Sequence, residues 1–109
     1  MKMENNIENQ KKREIVNLAT SMIEGRTDLV WGCRVMDGLR LDVKESERKV
    51  FNPFIAFADD TERFPIEETR NLYSTEYIEK ADLEKEKYLQ NNRTSIIEAC
   101  NKLIEYFSK

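Results

Sequence analysis

Apolar residues recur at helical spacing near both ends of the chain. In the first third they occupy the i, i+3, i+4, i+7 and i+8 positions of one buried helix face: Ile15, Leu18, Ala19, Met22 and Ile23. This pattern predicts a helix over residues 4–24, which Gly25 ends because glycine readily adopts the left-handed conformation. The same spacing near the C-terminus predicts the longest helix, which begins at Thr75 or Lys80 and ends at Phe107.

A second helix is predicted directly after the first. Thr27 or Asp28 is expected to cap it, and its apolar positions follow at steps of four, three, three and four residues: Leu29, Cys33, Met36, Leu39 and Val43. Gly32 and Gly38 each cost such a helix about 1 kcal/mol relative to alanine. We expect both glycines to let a neighbouring backbone come close, and Trp31, which lies off the apolar stripe, to cover an edge of the core.

The middle of the chain is harder to interpret. The charged residues 42–49 are predicted to form a loop, and Asn52 and Pro53 to begin a helix, with Asn52 as its cap. A strand is the alternative for residues 50–58, because aromatic and branched residues favour strands, although Pro53 argues against a central one. Residues 59–65 are predicted to form a loop, here called the acidic turn, and residues 65–73 a short helix.

These elements together predict an all-α fold, a compact bundle of four to five helices with a long C-terminal helix. The whole chain, residues 1–109, is predicted to be a single domain in which residues 1–6 are frayed. Nine residues are predicted to share one core: Leu18, Met22, Cys33, Met36, Phe54, Ile55, Ile97, Cys100 and Ile104.

Composition narrows the classes of function. The net charge of −3 offers no basic stripe for nucleic acid, and the absence of histidine removes Ser-His-Asp and Cys-His catalysis. With two cysteines and no histidine we expect no metal or cofactor, and Cys33 and Cys100 are predicted to be free, buried thiols. No leader or membrane-spanning stretch is recognisable, so a cytoplasmic protein with no membrane contact is expected.

The acidic residues around the turn are the sharpest chemical feature. Asp59, Asp60 and Glu62 are followed closely by Glu67 and Glu68. Solvation and helix capping are the plainest explanation, because acids in a first helical turn complement the helix dipole. A partner-binding patch is the second, and metal binding or acid–base catalysis is the third.

We predict a partner-binding face from these five carboxylates together with Tyr73 and Tyr77, with Trp31 as another candidate aromatic anchor. A rival interpretation makes the turn purely structural, with its acids satisfied by four arginines: Arg34, Arg40, Arg63 and Arg70. In particular, an arginine of the second helix is expected to reach Asp59 or Asp60, because its planar fork suits a carboxylate.

Three blocks of residues carry a resemblance to a family. The first is residues 23–40, with Ile-Glu-Gly and Trp-Gly-Cys-Arg; the second is residues 51–70, with Pro-Phe-Ile-Ala and Asp-Asp-Thr-Glu; the third is Ile-Glu-Ala-Cys at residues 97–100. Together they resemble small helical bacterial proteins of unknown function, some of which are similar to immunity proteins of polymorphic-toxin and contact-dependent growth-inhibition systems.

The resemblance implies a non-catalytic, stoichiometric binder of one intracellular toxin, and it assigns no catalytic or cofactor residue. Such toxins are often basic nucleases, which an acidic surface attracts. Two alternatives stay open at this point. One is a small metal-dependent hydrolase that uses Asp59, Asp60 and Glu62, and the other is a structural or regulatory subunit of a bacterial complex.

Overall fold

The fold was examined in a computed structural model that describes residues 2–108, with side chains from residue 7 onwards. It contains four α-helices: α1 (Lys2–Ile23), α2 (Leu29–Leu39), α3 (Asn52–Asp60) and α4 (Thr75–Phe107). Three 3-10 segments join them: Arg40–Asp42, Glu45–Phe51 and Glu67–Leu72. The described residues contain no strand, so the predicted all-α bundle with a long C-terminal helix is confirmed. Residues 1–6 were expected to be frayed. Met1 and the side chains of residues 2–6 lie outside the described part, so this expectation stays a prediction.

Local signals determine the junction between α1 and α2. Gly25 has a φ of 77°, and beyond it the amide of Arg26 donates to the carbonyl of Ser21 at 2.9 Å, which closes a Schellman motif. Asp28 then caps α2 by accepting a hydrogen bond from the amide of Trp31 at 2.9 Å. The end of α1 at Gly25 was predicted, and Asp28 is one of the two predicted caps, because each feature depends only on residues that are neighbours in the chain.

The middle of the chain differs from its prediction. The segment predicted as a loop over residues 42–49 is largely helical, because the 3-10 segment Glu45–Phe51 runs straight into α3. Asn52 is therefore not a cap: it already has helical dihedral angles of −50° and −41°. Pro53 stands in the first turn of α3, as expected, and the strand alternative for residues 50–58 is wrong.

All four helices contribute to one core. Its buried members are Ile15, Ala19, Met22, Leu29, Cys33, Met36, Val43, Phe51, Phe54, Phe57, Ile96, Ala99, Cys100 and Leu103. Of the nine predicted residues, five are in this set and three others, Leu18, Ile97 and Ile104, pack against it. Ile55 is the wrong one, because Phe54 and Phe57 set the buried face of α3 and Ile55 is rotated about 100° from Phe54.

The length of α4 gives the molecule its elongated shape. A helix of 33 residues spans about 50 Å at about 1.5 Å per residue, close to the 53 Å long dimension of the protein. Its second half carries four of its five buried residues, whereas its first half buries only Ala81. Among the described helices, none is both long and apolar enough to span a bilayer.

Both thiols are free and buried, as predicted. The sulfur of Cys100 lies 3.9 Å from the thioether sulfur of Met22, in the contact between α1 and α4. Burial raises the pKa of both Cys33 and Cys100 to about 12, because a thiolate would have to form away from water. These cysteines therefore behave as small apolar core residues.

The expectation that both α2 glycines admit a neighbouring backbone is wrong. A Cβ at Gly32 would lie 2.6 Å from the sulfur of Met22, a side chain, whereas a Cβ at Gly38 would meet nothing within 4 Å. We predict that Gly32→Ala lowers the free energy of unfolding by about 1–3 kcal/mol through overpacking. Gly38→Ala should raise it by up to about 1 kcal/mol through helix propensity. Urea unfolding measures both, and effects of the same sign in the two variants would contradict this account.

The buried thiols generate a second prediction. In the native protein a bulky thiol reagent at pH 8 should label both cysteines slowly, and in urea it should label them at once. Cys100→Ser should lower the free energy of unfolding by about 1–3 kcal/mol, because it buries a hydroxyl in an apolar site. Cys100→Ala, which buries no hydroxyl, is the matched comparison and should cost less. Prompt labelling of both thiols in the native state would refute their burial.

Candidate functional site

The backbone of the acidic turn is anchored from within. Thr61 is almost completely buried, and its hydroxyl donates to the carbonyl of Phe57 at 2.8 Å, at the end of α3. Phe64 is also buried, and its amide donates to the carbonyl of Thr61 at 3.0 Å. Two inward side chains thus hold the turn, while Asp59 and Asp60, the last residues of α3, stay exposed.

Arg34 of α2 holds the same turn from the other side. Its guanidinium donates to the carbonyl oxygen of Thr61 and, at 2.8 Å, to that of Phe64. An arginine of the second helix therefore does bind the turn, as predicted, but the predicted targets, Asp59 and Asp60, are wrong. The physical reason is that the carbonyls of Thr61 and Phe64 lie in the turn beyond α3, outside the helical hydrogen-bond pattern, and a main-chain carbonyl there accepts from a nearby donor.

Arg63 binds the turn and α4 together. It donates to the carbonyl of Asp60 at 3.1 Å and to the carboxylate of Glu84 at 3.3 Å. Its guanidinium carbon also lies 4.6 Å from the ring centroid of Phe64, within the range of a cation–π contact. Like Arg34, it contributes to the shape of the turn through a main-chain carbonyl.

The other two arginines pair with carboxylates outside the turn. Arg70 makes two hydrogen bonds to Asp82, at 3.1 and 2.9 Å, and these bonds lower the pKa of Asp82. Arg40 pairs with Asp37 on α2 at 3.0 Å. The interpretation that the four arginines neutralise the acidic turn is therefore wrong, because none forms an ion pair with the five predicted carboxylates among the described side chains.

Two further contacts attach the first half of α4. Lys85 pairs with the α2 cap, Asp28, at 2.8 Å. Partial burial raises the pKa of Asp28, but the hydrogen bonds from Lys85 and the Trp31 amide outweigh it, so that pKa lies below its ordinary value. The hydroxyl of Tyr88 donates to the carboxylate of Asp60 at 3.0 Å. The pKa of Tyr88 is raised, chiefly because the hydroxyl is partly buried and also because of this hydrogen bond.

The structure divides the five predicted carboxylates into three settings. Asp59 and Glu62 line a cavity of about 280 Å³. Glu67 and Glu68 line a second one of about 260 Å³, and Asp60 is hydrogen-bonded to Tyr88. Within the described side chains, no ion pair of 4.0 Å or less involves Asp59, Glu62, Glu67 or Glu68.

The two predicted tyrosines lie together beside the turn. Tyr73 and Tyr77 stack with ring centroids 4.8 Å apart and an interplanar angle of 18°. The hydroxyl of Tyr77 reaches the carbonyl of Arg63 at 3.4 Å. Both rings are exposed, at 45% and 43%, so together they form a flat aromatic surface.

Trp31, the other candidate aromatic anchor, lies next to two of the predicted carboxylates. It is 41% exposed and lines the cavity of Glu67 and Glu68. Its position off the apolar stripe of α2 was the available signal. That pattern predicted an edge position but could not reveal which acids, more than thirty residues later in the chain, would be its neighbours.

Among the described residues, no three acidic or thiol side chains are grouped closely enough to hold a metal ion. No known protein family, curated protein or solved structure matches the chain.

The contacts of Arg34 yield a prediction with a matched control. Arg34→Met removes a charged donor from two carbonyl groups and should lower the free energy of unfolding by about 1–3 kcal/mol. Arg40→Met removes the same charge from the 3-10 segment directly after α2 but breaks only a partly exposed pair, so its cost should stay below about 1 kcal/mol. Urea unfolding of both variants makes the comparison. Equal losses would show that Arg34 acts through its charge rather than through the turn.

Proposed function

We propose that the protein is a non-catalytic immunity protein that neutralises a basic intracellular toxin domain by stoichiometric binding. The observation that carries the proposal is the set of exposed carboxylates around the acidic turn: Asp59, Glu62, Glu67 and Glu68. Among the described side chains no cation pairs with them, while the arginines nearest to them bind elsewhere.

Electrostatics explains why such an arrangement suits a basic partner. Like charges held close together repel one another, and a basic surface offsets that repulsion when it docks. Complementary charge also steers the encounter, so the association rate is high at low ionic strength and falls as salt is added. Rapid capture is what an immunity protein needs, because its toxin acts on the same cell.

The aromatic residues supply what charge alone does not. Tight interfaces depend on a few large anchors, most often tryptophan, tyrosine and arginine, surrounded by contacts that exclude water. The stacked Tyr73 and Tyr77 present a pre-formed flat surface beside the turn, and Trp31 presents a second aromatic surface next to Glu67 and Glu68. Because Tyr73 and Tyr77 already stack on each other, fewer side-chain conformations are left for them to lose on binding.

The distribution of the carboxylates favours docking over catalysis. A hydrolase that uses paired acids needs them to converge on one reacting bond or metal ion. Here Asp59 and Glu62 line one cavity, Glu67 and Glu68 line another, and Asp60 is bound by Tyr88. A surface that spreads its charge in this way matches the broad face of a protein partner.

Charge reversal tests the proposal. The proposal predicts that a toxin domain is encoded next to this chain, and the test uses that domain, produced together with the chain in a cell whose growth it arrests. Asp59→Lys and Glu62→Lys should each weaken binding by about tenfold or more at low salt, which is about 1.4 kcal/mol, and the combined variant should no longer protect growth. Both positions are exposed and unpaired in the described part, so the melting temperature should not change.

Glu98→Lys is the matched control. It makes the same charge change at an exposed position in the second half of α4 and should protect as the original chain does. Equal protection by the Asp59→Lys, Glu62→Lys variant would overturn the proposed binding face. Metal-dependent hydrolysis that Asp60→Asn abolishes would instead establish the hydrolase alternative.

A further inference from the structure

A cavity of about 260 Å³ lies where α2, the acidic turn and α4 meet, and we name it the Trp31 cavity. Its apolar lining comes from Trp31, Pro65 and Ile66, and its acidic lining includes Glu67 and Glu68. An aromatic ring, aliphatic surface and two carboxylates in one concave space match a ligand that has a cationic head and an apolar stem.

The cations that line this cavity are already neutralised. Arg70 is held by two hydrogen bonds to Asp82, and Lys85 is paired with Asp28 at 2.8 Å. Glu67 and Glu68 carry the negative charge that is left, because neither has a cation within 4.0 Å among the described side chains. Arg70 also attracts Glu67 through space, but the lining holds three carboxylates, those of Asp28, Glu67 and Glu68, against the two cations, so the cavity is net negative.

We propose that the Trp31 cavity receives an arginine side chain of the protein partner, with the guanidinium against Trp31 and hydrogen-bonded to Glu67 and Glu68. This inference rests on the proposed function and specifies what its partner presents. Arginine fits better than lysine for two reasons. A planar guanidinium stacks on an indole ring, and its fork of N–H donors binds two carboxylates at once, whereas an ammonium is a compact, strongly hydrated charge.

The chain itself supplies the reporter for a test. Trp31 is its only tryptophan, so fluorescence excited at the long-wavelength edge of tryptophan absorption, where the four tyrosines do not absorb, reports on this side chain. The probe is a hexa-arginine amide peptide, compared with a hexa-lysine amide of the same charge and with a citrulline peptide, which keeps the shape of arginine without its charge.

The arginine peptide should change Trp31 emission saturably and should bind at least threefold more tightly than the lysine peptide, while the citrulline peptide should cause no change. The double variant Glu67→Gln, Glu68→Gln should bind the arginine peptide at least fivefold more weakly, and its melting temperature should be unchanged. The control is Glu98→Gln, Glu105→Gln, which removes the same charge from exposed positions of α4 and should bind as the original chain does.

Two results would overturn the inference. One is arginine-peptide binding, seen by calorimetry, that leaves Trp31 emission unchanged; the other is equal loss of affinity in the two double variants, which would mean that only net charge matters. Neither result affects the proposed function, because the Asp59→Lys, Glu62→Lys experiment uses the toxin domain and residues outside this cavity. If the Asp59→Lys, Glu62→Lys variant loses protection while Trp31 emission does not respond to the arginine peptide, the proposed function is supported and only the arginine site in the Trp31 cavity is refuted.

Discussion

The guanidinium of Arg34 reaches from α2 to the main-chain carbonyls of Thr61 and Phe64, at the point where α3 has ended. The carbonyl of Thr61 also accepts from the Phe64 amide, and Arg34 adds a charged donor that it shares between the two carbonyls. Hydrogen bonds from charged donors are the stronger ones, so this side chain fixes the path of the acidic turn. The positions of Asp59 and Glu62 follow from that path, and not from any bond that their own carboxylates make.

The two halves of α4 are attached to the rest of the protein by different forces. The second half packs through apolar residues against α1, as the contact between Cys100 and Met22 shows. The first half packs Tyr88 and Leu89 against the core and is attached in addition by four polar pairs: Arg63–Glu84, Arg70–Asp82, Lys85–Asp28 and Tyr88–Asp60. Exposed pairs are individually weak and screened by salt, so this part of the attachment weakens as salt is added.

The parts of the fold that the sequence could predict are those determined by neighbours in the chain. Periodicity located three helices, and the conformational freedom of Gly25 and the capping oxygen of Asp28 located a junction. Asn52 failed as a predicted cap because the 3-10 segment before it continues into α3, with Phe51 in the core. Ile55 failed because the aromatic neighbours of α3 decided which face is buried.

The residue types of the candidate site could be predicted from the sequence, but the hydrogen-bond partners and spatial neighbours of those residues could not. Carboxylates and tyrosines were evident from their spacing, and the structure stacks Tyr73 on Tyr77, whose hydroxyl reaches the Arg63 carbonyl in the acidic turn. The target of Arg34 was not evident, because a side-chain pattern contains no information on which main-chain carbonyls are left free. The proximity of Trp31 to Glu67 and Glu68 likewise depends on how α2 and the segment after the turn pack together.

The acidic turn is held through its main chain, so its exposed acidic side chains contribute little to the stability of the fold. Selection can therefore replace Asp59, Glu62, Glu67 or Glu68 one at a time without first repairing the scaffold, since little stability is lost at exposed sites that hold nothing in place. Such a change leaves the contacts of Arg34 with the carbonyls of Thr61 and Phe64 in place. The shape of the turn and the charge that it presents to solvent are therefore set by different atoms, and one can change without the other.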